Sequence, residues 1–362
     1  MQNSDIEVKC EEVKKIEVKM QAILDNLTKP RGSLGKLEDF CIKLAAIQGK
    51  APPEIHKKGV YVFGGDHGIA QEGVSLYPQE VSFQMAMNML LGGAGINALA
   101  NAMNWEVNVV DSGIMVDFPP DEELKKQGAA NRLIRAKVGK GTRNFYTESA
   151  MTEDELEAAL QKGQELADDA VSCGYSMVAI GDLGIGNTST AAALLIAAGL
   201  NADAVIDRGT GIDDKALISK RRIIKEACIR RRPVANPLAI MQELGGYDLA
   251  MMSGFILGLD GKGIACILDG FPVTSAAYMA FMQNKKIIDY VFAGHLSKVA
   301  GHKVVLDKMG LSPIIALDLH LGEGTGAVIG GYMVELAVNC ARNMASFDTA
   351  DVSGKDVEEK KY

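Results

Sequence analysis

The amino-acid sequence predicts an α/β fold: a mostly parallel, Rossmann-like sheet flanked by helices, entered from a helical N-terminal segment. Three observations lead there. From about residue 58 the chain runs in short β-branched stretches, each followed by a glycine-rich turn and a helical stretch. These stretches are continuously apolar, as strands covered on both faces are. Finally, 362 residues at 48% apolar composition supply core enough for one large domain or about two ordinary ones.

The elements follow in order. Residues 5–50 read as helices: "IEVKCEEVKKIEVKMQAILDNL" is amphipathic, and "KPRGSLGKLEDFCIKLAAIQGK" inserts a Pro/Gly turn before a second helix. Strands follow in "KGVYVFGGDHG", "WEVNVVDSGI", "YSMVAIGDLGIGN", "KGIACILDGFP", "KIIDYVFAGH" and "SPIIALDLHLGEG". Ahead of the third strand lies "MTEDELEAALQKGQELADDAVSCG", a charged amphipathic helix with Thr152 as N-cap and Glu155, three residues on, closing a capping box. After Ala345, "SFDTADVSGKDVEEKKY" is charged with little to bury, so residues 346–362 are expected to be disordered. Every strand ends in glycine and polar residues. Parallel sheets bind ligands at that end, so the chemistry is expected there.

Composition removes several classes. A formal net charge of −8 leaves no basic footprint for nucleic acid. The clusters Lys220-Arg221-Arg222 and Arg230-Arg231-Arg232 sit in a helical stretch, where a solvated face or a local phosphate contact explains them. Cys10, Cys41, Cys173, Cys228, Cys266 and Cys340 are scattered without a C-x-x-C pair. That argues against a disulfide scaffold or a zinc site and fits a reducing compartment. The opening "MQNSDIEVKCEEVKK" has no apolar signal core, and "AAALLIAAGL" falls short of the roughly 20 residues that span a bilayer. A cytoplasmic protein with no membrane or nucleic-acid partner is expected.

Three glycine turns carry the candidate chemistry. "GDLGIGNTSTAAALLIAAG" lacks the Gly-Lys-Ser/Thr of a Walker A loop and the third glycine of a dinucleotide fingerprint. Its physics is similar nonetheless. Gly184 and Gly186 admit close backbone approach, Asn187, Thr188 and Thr190 offer donors, and an Ala-rich helix N-terminus favours an anion. A tight turn with Thr188 as N-cap is the plainer alternative. "DRGTGIDDKALISKRR" pairs Gly209 and Gly211 with a hydroxyl; Asp213 suits a helix cap, and Lys220 either reaches a bound anion or is a solvated surface lysine. The third turn, "LGEGTGA", sets Glu323 among glycines. Near a phosphate, like charge would raise its pKa, as a general base needs; at a helix N-terminus it would simply be a stabilised cap.

The loop "FGGDHGIAQEGVSLYPQEVSFQMAMNMLLGGAGIN" completes the inventory. Asp66-His67 has no second histidine at ligand spacing, so a metal is not expected and Asp66 is read as organising the loop. "VSLYPQEVSFQM" mixes apolar, hydroxyl and amide groups suited to a flat aromatic ligand. Met85, Met87 and Met89 read as core.

Taken together, "LTKPRGSLGKLE", "FGGDHGIAQEGVSLYPQEV", "GDLGIGNTSTAAALL", "DRGTGIDD", "GGYDLAMMSG", "LDGFP", "HLSKVAGH" and "LGEGTGA" resemble the nicotinate-nucleotide:dimethylbenzimidazole phosphoribosyltransferase family, in its order and over nearly the whole chain. The resemblance implies a sheet of about six strands in a large α/β catalytic domain, residues 56–340, and a small helical domain, residues 1–55, completed by C-terminal helix residues. It implies transfer without metal or cofactor: an aromatic base attacks C1′ of nicotinate mononucleotide, nicotinate leaves, and inversion gives an α-riboside 5′-phosphate. Carried onto this sequence, Glu323 is the general base. Asp182, Gly184, Ile185, Gly186, Asn187, Thr188, Gly209, Gly211, Lys220, Gly270 and Ser297 hold the nucleotide and its phosphate. Ser75, Leu76, Tyr77, Gln84 and Leu321 line the base pocket. The resemblance also implies a dimer with its active sites near the subunit interface.

The sequence departs from the family at two places. The usual "GEMGIGNTT" is here "GDLGIGNTST", which makes Asp182 one methylene shorter than the family glutamate. "HRSAEPGH" has become "HLSKVAGH", with Lys298 and Val299 replacing a small residue and an acid. A benzimidazole base and a homodimer are the expectation. The alternative is the phenol- or p-cresol-activating branch, half of a heterodimer or its non-catalytic subunit; a phenol, with a pKa of about 10, attacks through oxygen.

Overall fold

The computed structural model describes residues 3–209, 211, 213–231, 236–350 and 352, with side chains from residue 11 onward. Seven parallel strands form one sheet: β1 (Lys58–Gly65), β2 (Glu106–Gly113), β3 (Arg132–Arg135), β4 (Met177–Leu183), β5 (Ala265–Leu268), β6 (Val291–His295) and β7 (Pro313–Ile315), in the order β3-β2-β1-β4-β5-β6-β7. The α/β class and the parallel sheet are as expected. The seventh strand is β3, "RLIR". Its outer arginines are exposed and its inner pair half-buried, so it lacks the apolar run that betrays a central strand.

Alternation along each strand divides the core in two, because successive side chains point to opposite faces. Tyr61 and Phe63 of β1, Val178 and Ile180 of β4, and Cys266 and Leu268 of β5 enter one cluster. Val60 and Val62, Met177 and Ala179, and Ala265 and Ile267 enter the other. The first face is covered by helices Glu153–Ser172, Asn187–Ala197, Tyr247–Gly258 and Phe271–Gln283, with the Phe255 ring 4.9 Å from Tyr61 and 5.7 Å from Phe63. Thr152 caps the first of these and forms the expected box with Glu155. The second face is covered by helices Glu80–Leu90, Gly95–Ala102 and Thr325–Asn343, and by the N-terminal helices Asn3–Asp25 and Lys36–Gln48. Met89 is buried there, and Met85 and Met87 pack against it as core.

The two ends of the chain meet on this second face. Arg342 reaches the Pro53 carbonyl at 3.3 Å, and Leu27 pairs with Ser346 in an antiparallel bridge. Of the tail expected to be disordered from residue 346, residues 346–350 fold back on the first helix: the Phe347 N–H donates to Asn26 O at 2.8 Å and Asn26 Nδ2 donates to Asp348 at 2.6 Å. Residues 351 and 353–362 lie outside the described residues.

The chain builds β1, β2 and β3 outward in one direction, then returns to lay β4 on the other side of β1. Strand order therefore reverses between β1 and β4, which opens a crevice at their carboxyl ends, where open α/β sheets bind ligands.

Candidate active site at the carboxyl edge of the sheet

The two turns that leave β1 and β4 are in backbone contact. A Cβ on Gly184 would sit 2.0 Å from the Gly65 carbonyl oxygen, so only glycine fits there. Asp66 locks the arrangement. Its carboxylate accepts from Ser82 Oγ at 2.6 Å and from the Met115 N–H at 2.9 Å, and Ser82 Oγ accepts in turn from the Ile185 N–H at 3.1 Å. Asp66 thus organises the loop, the role its sequence context suggested. His67 sits behind, with Nε2 3.2 Å from Asp248 and Nδ1 3.0 Å from Thr190 Oγ1. Burial alone would lower its pKa, but Asp248, Asp66 and Asp182 hold it above the usual histidine value.

The expected nucleotide residues form a chain of contacts from this point. Gly186 is the N-cap of helix Asn187–Ala197 and offers no side chain. Thr188 is therefore not the cap; its hydroxyl accepts from Lys220 Nζ at 3.0 Å. Lys220 is 2% exposed, which removes the surface-lysine alternative. Burial lowers its pKa to about 8, against a smaller opposing pull from Asp207. Gly209 closes on the same pair: a Cβ there would lie 2.9 Å from Thr188 Oγ1 and 3.4 Å from Lys220 Nζ. Gly211 is exposed; the hydroxyl read with these glycines, Thr210, lies outside the described residues. Asp213 caps helix Asp214–Arg231, accepting from the Ala216 N–H at 2.8 Å. Of the second basic cluster, Arg230 lies over the Tyr146 ring, while Arg232 lies outside the described residues.

Next along the edge, the Ala300 N–H donates to Asp207 at 3.0 Å, which brings the Ser297 loop to the Gly209 segment. Gly270 faces Ser297, its virtual Cβ 3.9 Å from Ser297 Cβ. Gly270 is also the N-cap of helix Phe271–Gln283, so free N–H groups and a dipole end point into the same space. Ser297 is held by its own N–H donating to His302 Nδ1 at 2.9 Å and by Oγ donating to the Leu319 carbonyl at 3.1 Å. Burial lowers the His302 pKa to about 3, so the ring is neutral and free to accept.

Glu323 closes the ring. It is 5% exposed and takes a left-handed conformation, φ 63°, between Gly322 at 83° and Gly324 at 88°. That conformation is costly for a residue with a Cβ, by about 1–2 kcal/mol, and strain of this kind clusters at functional sites. The Glu323 N–H donates to the Asp182 carbonyl at 3.3 Å. Its Oε2 accepts from the Ile96 N–H at 3.1 Å, in the first turn of helix Gly95–Ala102. Burial raises its pKa and Asp269 adds to the rise, against the Ile96 bond. Glu323 does not cap its own helix, Thr325–Asn343; Asp269 does that from the end of β5.

Asp182 contributes a second perturbed carboxyl. Oδ2 accepts from Asn187 Nδ2, while the buried Oδ1 has no hydrogen-bond partner. Burial, then Asp269 and Asp248, push its pKa up to about 7. Of the residues expected to line the base pocket, only Leu321 is placed beside Glu323, both reaching Gly95. Leu321 lies against Gly95, and Leu76, Tyr77 and Leu321 are 59%, 52% and 60% exposed. Ser75 accepts from the Tyr77 N–H at 3.3 Å, and Gln84 stands exposed on helix Glu80–Leu90, whose Ser82 holds Ile185. Among the described residues, no group of three or more His, Cys, Asp or Glu side chains is placed to share a metal ion. A cavity of about 830 Å³ lies at the opposite edge, where β5 and β6 begin, away from these groups.

Sequence reading missed Asp269, His295, Asp248 and His302. Asp269 follows β5 at the carboxyl edge, and that position is the signal that would have found it. His295 ends β6 at the same edge and His302 lies five residues from its partner Ser297, so position marks them too; Asp248 shows no local pattern, because its partner His67 lies 181 residues away.

Comparison with known proteins identifies the family and the fold. A family model described as Phosphoribosyltransferase matches residues 11–352. The nicotinate-nucleotide–dimethylbenzimidazole phosphoribosyltransferase of Geobacter sp. (strain M21) is 45% identical over 335 residues, covering 92% of this chain and 93% of that protein. The Thermus thermophilus protein of the same name is 43% identical over 331 residues, covering 91% and 96%. The crystal structure of CobT from Thermus thermophilus superposes with a TM-score of 0.87 at 41% identity, covering 94% of this chain and 99% of that one.

Proposed function

The chain belongs to the nicotinate-nucleotide–dimethylbenzimidazole phosphoribosyltransferase family, and on that premise we propose how its residues divide the work. The enzyme moves the 5-phosphoribosyl group of nicotinate mononucleotide to 5,6-dimethylbenzimidazole, giving an α-riboside 5′-phosphate and nicotinate. The observation that carries the assignment is Glu323: a buried carboxylate of raised pKa, on a strained turn, beside the exposed Leu321 and on the same edge as the buried Lys220.

The ring nitrogen of the base attacks C1′ as the C1′–N bond to the pyridinium breaks. That bonding pair returns to the pyridinium nitrogen, so nicotinate leaves without needing a proton. The attacking benzimidazole becomes cationic, and its N–H proton passes to Glu323. Removal of that proton by a carboxylate with a raised pKa is general-base catalysis, contributing about 10²–10⁴-fold. Lys220, Thr188 and Gly209, with the Gly184–Thr188 turn, hold the phosphate, and Gly270 and Ser297 close its other side. Gly211 flanks this seat. Asp182 is nine-tenths buried with a free oxygen near Gly322, and faces the ribose and the pyridinium. Ser75, Leu76, Tyr77, Gln84 and Leu321 grip the flat base, and orientation of the two substrates supplies much of the remaining acceleration.

A second copy of the chain covers the exposed Leu76, Tyr77 and Leu321 beside the site, making a homodimer. The unpaired thiols of Cys41, Cys173, Cys228, Cys266 and Cys340 support a reducing, cytoplasmic setting. No helix among the described residues is long and apolar enough to cross a membrane. We likewise propose a division into a small helical domain, residues 1–55 completed by C-terminal helix residues, and a large α/β catalytic domain, residues 56–340. The assay supplies nicotinate mononucleotide with dimethylbenzimidazole, adenine, phenol and p-cresol in competition. Nicotinate release matched by the dimethylbenzimidazole riboside phosphate is the expected result. Preferred phenolic product would overturn the benzimidazole assignment, and no release with any base would overturn the enzyme.

A further inference from the structure

We infer that Asp269 is a positioning residue for Glu323: it anchors the turn that carries the base and ties that turn to the Gly270–Ser297 side of the phosphate seat. The inference rests on Glu323 being the general base.

Asp269 is 1% exposed and directly follows β5, 54 residues ahead of Glu323. One carboxylate oxygen accepts from the Gly324 N–H at 3.0 Å; the other accepts from the N–H groups of Gly326 at 2.8 Å and Ala327 at 3.1 Å. Helix Thr325–Asn343 has no side-chain cap of its own, because its N-cap is Gly324. Asp269 therefore serves as an N-cap supplied by another strand, with a full negative charge at the positive end of the helix dipole. Those three bonds bracket Glu323 from the C-terminal side, while the Asp182 carbonyl holds its N–H from the other. Three consecutive residues at positive φ do not hold themselves, and such a conformation persists only where its surroundings over-determine it.

The same carboxylate reaches toward the phosphate side. His295 Nε2, at the end of β6, lies 3.3 Å from Asp269, and a Cβ on Gly326 would meet its ring at 2.1 Å. The His295 ring stands 5.7 Å from His302, which holds the Ser297 N–H and pairs with Thr274 Oγ1 at 2.9 Å. One run of packed groups thus joins the base turn to Ser297, and Asp269 is its hub.

The charged and titratable groups around this hub come from every neighbouring strand. Asp182 faces it from β4 and His295 from β6, with the neutral His302 behind; helix Gly95–Ala102 meets Glu323 through the Ile96 N–H and carries no charged side chain. The Asp269 charge raises the Glu323 pKa. Because the base works deprotonated, activity rises with pH through that pKa, and removing the Asp269 charge moves this acid limb to lower pH.

Two variants separate charge from geometry. Asp269→Asn keeps the size, removes the charge and sets an NH₂ against backbone N–H donors. The expected result is a fall in kcat of about 100-fold, the scale for a misplacement near 1 Å, with a smaller change in KM for nicotinate mononucleotide and an acid limb at lower pH. Asp269→Glu keeps the charge but displaces it, so kcat falls while the limb stays near its wild-type position. If Asp269→Asn does not fold, Asp269→Glu decides, and wild-type kcat in it overturns the inference. Glu323→Gln reports on the base alone. If it abolishes turnover while Asp269→Asn keeps a wild-type kcat and acid limb, only the positioning role is wrong. Turnover retained in Glu323→Gln overturns the base assignment, and the inference with it.

Discussion

Replacing Lys220 with methionine should make the protein more stable and a worse enzyme. The amine is 2% exposed, and no carboxylate stands within ion-pairing distance of it among the described residues; its one hydrogen-bond partner is Thr188 Oγ1 at 3.0 Å. Burial lowers its pKa from 10.5 to about 8, corresponding to about 3 kcal/mol of destabilisation while it is charged. The sign follows from proton counts. The unfolded chain keeps this proton up to 10.5, the folded chain only to about 8, so between those values the unfolded state binds more protons and stability rises with pH. Below about pH 8 the penalty is present in full. Methionine removes it at similar volume, and loss of the bond to Thr188 takes back about 1 kcal/mol. The variant should therefore gain about 2 kcal/mol at pH 7, and the gain should fade toward pH 10. A charge-assisted bond to phosphate is worth about 1.5–3 kcal/mol, so the Kd for nicotinate mononucleotide should rise roughly 10- to 150-fold. Denaturation at pH 7 and pH 10 reads the first effect, calorimetry the second. Unchanged affinity, or a variant less stable than wild type at pH 7, would refute the reasoning.

Two further outcomes follow. Gly184→Ala puts a methyl group 2.0 Å from the Gly65 carbonyl oxygen, which must push apart the turns leaving β1 and β4; nicotinate mononucleotide binding should fall at least tenfold and stability by about 1–3 kcal/mol, and a variant with wild-type affinity would show that the turns tolerate separation. Asp182 has a pKa raised to about 7 from 3.8, so the folded state holds a proton that the unfolded state has lost, and stability falls as pH rises between those values. Asp182→Asn should therefore stabilise the protein at pH 8 and change little at pH 4; equal effects at both pH values would contradict that account.

The fold was largely legible because its central strands are apolar runs closed by glycine. Val60–Phe63 and Val178–Ile180 announce themselves by composition and then divide between two cores by alternation. The edge strand β3 did not, since Arg132 and Arg135 turn outward to ion pairs with Asp169 and Asp121. In the site, the glycine turns, Lys220 and Glu323 stood out as groups in unusual local company. Asp269 did not: "LDGFP" shows an acid before a capping glycine, but its three N–H partners lie 55–58 residues on. Sequence also left the Lys220 and Glu323 alternatives open. Burial removes the surface reading of Lys220, while Glu323, whose own helix is capped by Asp269, accepts from the first turn of helix Gly95–Ala102 instead.

The central claim is that Glu323 takes the proton from the attacking base. Single-turnover nicotinate release by Glu323→Gln, with dimethylbenzimidazole saturating, tests it directly. Glutamine keeps the acceptor for Ile96 and the shape of the side chain but cannot accept the proton. The expected result is nicotinate mononucleotide bound within about threefold of wild type and release slowed by about 10²–10⁴-fold. Release at the wild-type rate would contradict the account.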